Sequence, residues 1–241
     1  MVADDPLHAD PTVPYVPHVG ASRQYWRDII LGVNDGLVSI FLLVAGVVGG
    51  GLSTKAVLLT AVAGALAGAV SMALGEYLAT KSQDQVLQRE LALEEEHIRH
   101  HRPMEVHQLR DMFAEMGIDG EDLETAVTIF SATDERLLAA MQSLEFGVVD
   151  SERRNPYLAA LASGILFVVG SAPATLPFAF VSDVGTAFFA SAVATGIGLF
   201  AVGVAKTRVT MTNPVISGLE NLVIAGLGAV VAFAVGTTFE G

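Results

Sequence analysis

The chain contains no cysteine, which excludes disulfides, thiolate metal sites and thiol nucleophiles. Charge is scarce: only 16% of the 241 residues are Asp, Glu, Lys or Arg, against roughly 25% in soluble domains. Cations are scarcer still, with 13 Lys and Arg facing 26 Asp and Glu for a net charge of −13. Without clustered basic residues there is no footprint for nucleic-acid phosphates. Partners should therefore be cations or proteins. Any bound metal must be held by carboxylate, imidazole, thioether or amide groups. What fills the chain instead is apolar: 52% of residues are hydrophobic and the mean hydropathy is +0.53. A bilayer is the natural solvent for that composition.

The apolar residues fall in two regions, 29–80 and 157–238, separated by roughly 70 residues rich in Glu, Asp, His and Met. At about 20 residues per crossing, they supply five spans, 28–51, 55–80, 156–180, 184–206 and 214–238. Arg23 and Arg27 precede the first span. Lys81, Arg89, Arg99, Arg153 and Arg154 lie between the second and third, and Lys206 and Arg208 between the fourth and fifth. The opposite connections carry only Lys55 and Asp183. The positive-inside rule then places the N-terminus and the acidic insert in the cytoplasm and the C-terminus outside. The expected organisation is an all-α membrane protein with a disordered tail over 1–22 and spans one and two over 23–81. A cytoplasmic three-helix metal-binding domain follows over 82–152, then spans three to five over 153–241. Pro173 and Pro177 should kink or break the third span.

Polar groups at membrane depth are costly unless they face protein or water. Asp35, beside Asn34 in Gly32-Val33-Asn34-Asp35-Gly36, stands out. Met72 and Glu76 share one face of the second span at i, i+4. A thioether beside a carboxylate favours a transition ion over Ca²⁺ or Mg²⁺. Glu76 is near the cytoplasmic end, so an interfacial role competes with one in a transport path. Glu220, beside Asn221 at the start of the fifth span, has the same ambiguity, with Lys206 or Arg208 as interhelical partner.

No Gly or Pro interrupts residues 76–101, so the second span should continue into the cytoplasm as a stalk. Glu90, Glu94, His97 and His101 fall on one face of it. Pro103 marks a break, and Glu105, Gln108, Met112 and Glu115 fit a second helix ending near Gly117. A third helix is expected after Asp119-Gly120, carrying Met141, Gln142 and Glu145 towards its end. Charged helical faces are usually just solvated, and residues 121–124 and 134–135 read that way. The Glu94/His97 pair, a carboxylate and an imidazole at i, i+3, has the spacing used in carboxylate-bridged metal bundles.

The run Tyr25-Trp26-Arg27-Asp28-Ile29-Ile30-Leu31-Gly32-Val33-Asn34-Asp35-Gly36-Leu37-Val38-Ser39 resembles the first-span signature of the vacuolar iron transporter family. Ser71-Met72-Ala73-Leu74-Gly75-Glu76-Tyr77-Leu78-Ala79 is similar to its second-span signature. The Glu-rich insert, Leu144-Glu145-Phe146-Gly147, the paired prolines and Ser217-Gly218-Leu219-Glu220 extend the resemblance over residues 25–238. It implies a five-span homodimer that exports Fe²⁺, and often Mn²⁺ or similar ions, from the cytosol in exchange for protons. The membrane would be the cell (inner) membrane in a prokaryote and the vacuolar membrane in a plant or fungus. By motif position, Asp35 and Met72 match intramembrane metal residues. Glu94, Glu105, Met141 and Glu145 match ligands of the cytoplasmic domain. His97 and Gln108 stand where plant-type members carry carboxylates, Gln142 where they carry a second methionine, and Gly64 where Glu can occur. The imidazole suits Fe²⁺, Zn²⁺, Co²⁺ or Ni²⁺ better than Mg²⁺ or Ca²⁺.

These readings predict a secondary transporter rather than an enzyme, since no nucleotide-binding or covalent-catalysis motif is evident. Asp35, Met72 and Glu76, with Asn34 and Glu220 nearby, are the expected transport path. Two rivals stand beside it: a membrane-anchored metal sensor or buffer, and a transporter whose main cargo is Mn²⁺ or Zn²⁺.

Overall fold

A computed structural model describes residues 22–147, 154–210 and 212–239, with the side chains of 22–24, 208 and 209 outside that description. Residues 1–21 of the expected 1–22 tail, Arg153 and the Arg208 side chain therefore lie outside the described residues, while Ser22 already begins a helix. Among the described residues eight helices follow in order: α1 (Ser22–Gly49), α2 (Thr54–Glu115), α3 (Gly120–Phe130) and α4 (Asp134–Leu144), then α5 (Pro156–Thr175), α6 (Pro177–Phe180), α7 (Val184–Thr210) and α8 (Pro214–Thr237). There is no strand among the described residues. Five helices are long and apolar enough to cross a membrane: α1, α2, α5, α7 and α8.

Local chemistry sets the boundaries. α5 and α8 start with the same device, an Asn followed by Pro at the first helical position. Asn155 Oδ1 accepts from the Tyr157 and Leu158 amides at 2.9 and 3.3 Å, and Asn213 Oδ1 from Val215 and Ile216 at 3.0 and 3.3 Å. Each side chain satisfies amides that have no partner inside the helix, and each proline costs no hydrogen bond there. Asp183 starts α7 by accepting from the Thr186 amide at 2.8 Å and its hydroxyl at 2.7 Å. The third span breaks as its prolines predict: α5 stops at Thr175, and the four-residue α6 resumes at Pro177. The first span begins earlier than residue 28, because α1 runs from Ser22 through the polar Arg-Gln-Tyr-Trp-Arg-Asp stretch.

α1 lies at the centre of the bundle, packed against α2, α5, α7 and α8. Its approach to α5 depends on missing side chains. A Cβ on Gly36 would sit 2.2 Å from the Phe167 carbonyl oxygen, and one on Gly170 would sit 2.2 Å from that of Val33. Close backbone contact between small residues holds membrane helices together where no hydrophobic drive exists. The main bundle core joins Ile40, Phe41 and Val44 to Val57, Ala61, Phe167, Phe178 and Ala187. Outward, α2 exposes Leu59, Val62, Leu66, Val70, Leu74 and Leu78 along one stripe.

α2 runs through 62 residues in two segments, the first continuing from the bundle to the bend at His101. His101 interrupts it at φ −131°, ψ 28°, just before Pro103. The distal segment closes at Gly117, φ 87°, where the Ile118 amide bonds Phe113 O at 3.1 Å and the Gly117 amide bonds Ala114 O at 2.9 Å. That pair is the glycine-terminated helix end that leaves few carbonyls unsatisfied. Beyond it the expected third helix is two. Ser131-Ala132-Thr133 separates α3 from α4, Thr133 Oγ1 accepts from the Arg136 amide at 3.3 Å, and Arg102 donates to Ser131 O and Asp134. The capping threonine, with Asp134 and Glu135 in the first turn, is stronger than the helical tendency of the residues around it. Ile98, Leu109, Phe113, Val127, Leu137, Ala140 and Met141 form a second core, separate from the bundle's.

Candidate metal sites

The bend in α2 assembles the first site. His97 lies one turn before it, Glu94 two turns before, and Glu105 one turn after, so the change of direction folds one face back towards the other. One ligand atom from each of the three residues lies within 4.8 Å of the others. His97 Nδ1 is 3.4 Å from Glu105 Oε1. Glu94 and Glu105 are only 5% and 6% exposed, and Glu94 Oε1 and Glu105 Oε2 have no hydrogen-bond partner. Unpaired carboxylate oxygens at that depth are expensive. Burial, then the Glu105 charge and hydrogen bond and the charge of Glu145, push the Glu94 carboxyl up to about 7. A divalent ion would satisfy all these groups at once and release the proton.

The other expected ligands divide around this core. Glu145 ends α4, exposed but close enough to act on Glu94. Met141 is fully buried and packs in the insert's hydrophobic core. Gln108 follows Glu105 by one helical turn and Glu90 precedes Glu94 by one, both half-buried. His101 is exposed at the bend, its ring 6.4 Å from that of His97. Of the eight residues expected to bind metal, Glu94, His97 and Glu105 form the close group.

The second site lies between α1 and α2. A cavity of about 430 Å³ is lined by Asp35, Ser39, Gly64, Gly68, Ser71, Met72 and Phe167, with Ile40 and Leu43. Asp35 and Met72, from different helices, share it. The Ser39 hydroxyl donates to Asp35 Oδ1 at 2.6 Å. The remaining path residues point elsewhere. Asn34 Oδ1 accepts from Asn221 at 3.4 Å, and Asn221 also donates to Leu199 O at 3.4 Å, so this amide pair ties α1 to α7 and α8. Glu220 is 3.4 Å from Lys206, the interhelical partner expected of it. Glu76 accepts from Thr80 at 3.2 Å and from Arg154 at 3.3 Å.

Arg154 is the residue whose weight the sequence concealed. It also binds Asp28, and it stacks 5.7 Å over the Tyr25 ring. Asp28 is 6% exposed and lies 126 positions away in the chain. In the sequence Arg154 counts only as a topological charge and Asp28 only as one letter of a motif. The one available signal is spacing, since Asp28 precedes Asp35 by seven residues and so shares its helical face.

Residues 26–237 match the model of the VIT family. The chain belongs to that family. Among VIT relatives, Vacuolar iron transporter 2 of Oryza sativa subsp. japonica is 34% identical over 207 residues, covering 86% of this chain and 84% of the relative. Vacuolar iron transporter 1 of Tulipa gesneriana is 31% identical over 208 residues, with 86% and 84% covered. Vacuolar iron transporter 1 of Arabidopsis thaliana is 32% identical over 207 residues, with 86% and 83% covered. The VIT match spans both the cavity between α1 and α2 and the cluster at the α2 bend.

Proposed function

We propose that this protein is a proton-coupled exporter of Fe²⁺, with Mn²⁺ and other divalent transition ions as further cargo. The observation that carries the reading is Asp35 and Met72 facing one cavity between two helices long and apolar enough to span a bilayer. A simple anchor has no use for a carboxylate and a thioether there. The names of the relatives, vacuolar iron transporters, point to the same cargo. Oxygen, nitrogen and sulfur donors together suit Fe²⁺ better than the hard alkaline-earth ions.

In this mechanism the region around the α2 bend is cytoplasmic. Glu94, His97 and Glu105 collect the ion there, with Glu145 adding negative potential. Asp35 then takes it in the cavity, Met72 supplying the softer contact. Coupling comes from competition, because a carboxylate shielded from water holds either a proton or a divalent ion. The protein acts as a homodimer, and the apolar stripe on α2 offers a surface for either lipid or the second copy.

The test is Fe²⁺ flux into proteoliposomes with and without an imposed pH gradient, comparing the parent with Asp35→Asn. Gradient-stimulated flux that the substitution abolishes is expected. Folded, correctly oriented parent protein that binds metal but moves none would establish the sensor or buffer instead.

A further inference from the structure

One stretch of the chain has no part in either metal site. Residues 11–19 repeat Pro-X-Val three times, as Pro11-Thr12-Val13, Pro14-Tyr15-Val16 and Pro17-His18-Val19, with Asp10 just ahead of them. Three is the period of a polyproline II helix, in which the prolines would share one stripe and the valines, with Asp10, another. Proline-rich segments of that pattern dock into grooves lined by aromatic side chains.

The outer part of the insert carries such a groove. Between the end of α2, the end of α3 and one face of α4 lies an open cavity of about 570 Å³, lined by Phe113, Met116, Ile129, Phe130 and Leu144 with their neighbours on α4. Phe113 and Phe130 tilt against each other with ring centroids 5.4 Å apart, and Met116, Ile129 and Phe130 are exposed. Lipid is a poor cover for them, because the insert around them is crowded with Asp and Glu. The single charged side chain lining the groove is Arg136. Arg102 pairs with Asp134 and Arg110 with Glu124, whereas Arg136 has no ion-pair partner among the described residues. Residues 1–21 offer Asp4, Asp5 and Asp10 and contain no Lys or Arg. Apolar surface and charge are thus complementary.

Length and direction fit as well. Arg154 binds both Asp28 of α1 and Glu76 of α2, so these two residues stand at one level of the antiparallel pair. From that level α1 runs about 9 Å back to Ser22, and α2 runs about 27 Å in the same direction out to Glu94. Glu145 acts on Glu94, which puts the Leu144 end of the groove about 18 Å beyond Ser22 along the stalk. Arg136 lies about 12 Å farther out, since the other end of α4 meets Arg102 through Asp134. At 3.1 Å per residue, Val16 and Val13 reach about 19 and 28 Å from Ser22, and Asp10 about 37 Å. Val13 therefore spans the distance to the Leu144 end, and Asp10 that to Arg136, each with slack for the step sideways.

We propose that residues 10–16 dock in this groove, the valines against Phe113, Phe130 and their apolar neighbours and Asp10 on Arg136, so that the tail straps the insert to the start of α1. The inference stands apart from the cargo and from the transport reading. It supplies a connection between the first span and the insert that does not run through α2. Phe113 and Ala140 line the groove and also belong to the core that holds Met141, so the strap bears on the helices around the Glu94 cluster.

The absence of cysteine makes the test direct. Full-length protein in detergent carries Val13→Cys together with Ser143→Cys on the groove, or with Glu135→Cys on the α4 face towards Ile98 and Arg99. Each is treated with a short bismaleimide, and linkage is followed by the mass of the denatured chain. The Ser143 pair should link at least about tenfold faster, because docking raises the local concentration of one thiol at the other. Ile129→Asp, a change at an exposed position, should bring that rate down to the level of the Glu135 pair, and Arg136→Gln should lower it a few-fold. Equal rates for the two pairs overturn the proposal. So does a fast Ser143 link that Ile129→Asp leaves unchanged, or one that joins only separate chains. Should Ile129→Asp not fold, a synthetic peptide of residues 9–20 decides: an excess that slows the Ser143 link supports docking, and an unchanged rate overturns it.

Discussion

The two candidate metal sites differ in the way that holding differs from passing. At the α2 bend three ligand-bearing side chains crowd within 4.8 Å, two of them almost wholly buried and each with an unpartnered oxygen. Between α1 and α2 a single carboxylate, already engaged by Ser39, shares a 430 Å³ cavity with a thioether. The first arrangement would gain much from an ion and release it reluctantly. The second offers few ligands and ample room for water, so an ion there would depart more easily. A conducting pathway needs such an inequality, because a site too complete becomes a trap.

Substitutions can break that contrast, starting with the largest effect. Asp35→Asn should cut proton-stimulated Fe²⁺ flux by about two orders of magnitude or more while leaving equilibrium metal binding nearly intact; radiometric flux and dialysis on the same preparation check both halves. Glu105→Gln in the full-length chain should do the opposite, lowering equilibrium affinity about 10- to 100-fold while flux at saturating metal persists. Equal losses in both assays for either variant would erase the distinction.

Acidity should separate the sites next. Because the Glu94 carboxyl is raised to about 7, it holds its proton until near neutrality, and metal must displace that proton below this value. Affinity at the bend should therefore fall as pH drops through 7, approaching about tenfold per pH unit. The same shift bears on stability. An unfolded Glu ionises near 4.3 while the folded one resists, so the metal-free fold loses stability as pH rises from there to about 7 and is level above it. Thermal melts of metal-free protein at pH 5 and pH 7.5 check the sign. The smallest effect belongs to Met72→Leu, which should shift competition between Fe²⁺ and Mn²⁺ by a few-fold towards Mn²⁺ with little change in total flux.

Much of this architecture was legible in the sequence because it is periodic and local. The five apolar helices, the uninterrupted stalk and the Pro173/Pro177 break each arise within a few residues. So does the Glu94/His97 pair. The meeting of Asp35 with Met72 is nearly local too, since two antiparallel helices with a four-residue connection must pack together. The division between α3 and α4 was written in Ser131-Ala132-Thr133-Asp134, yet it competes with a good helical pattern on both sides. Asp28 with Arg154 was not legible, because the pairing joins positions 126 apart through the packing of three helices. Nor does spacing reveal that Met141 packs inside a hydrophobic core while Glu105 lies buried beside His97.

The bend at His101 adds a mechanical consequence. Glu94 and His97 belong to the rod that emerges from the bundle, and Glu105 to the piece beyond the elbow. An ion gripping all three staples the joint at one angle, and straightening the rod would tear at least one ligand away. Occupancy of that joint is thus written into the direction in which the outer helices lean.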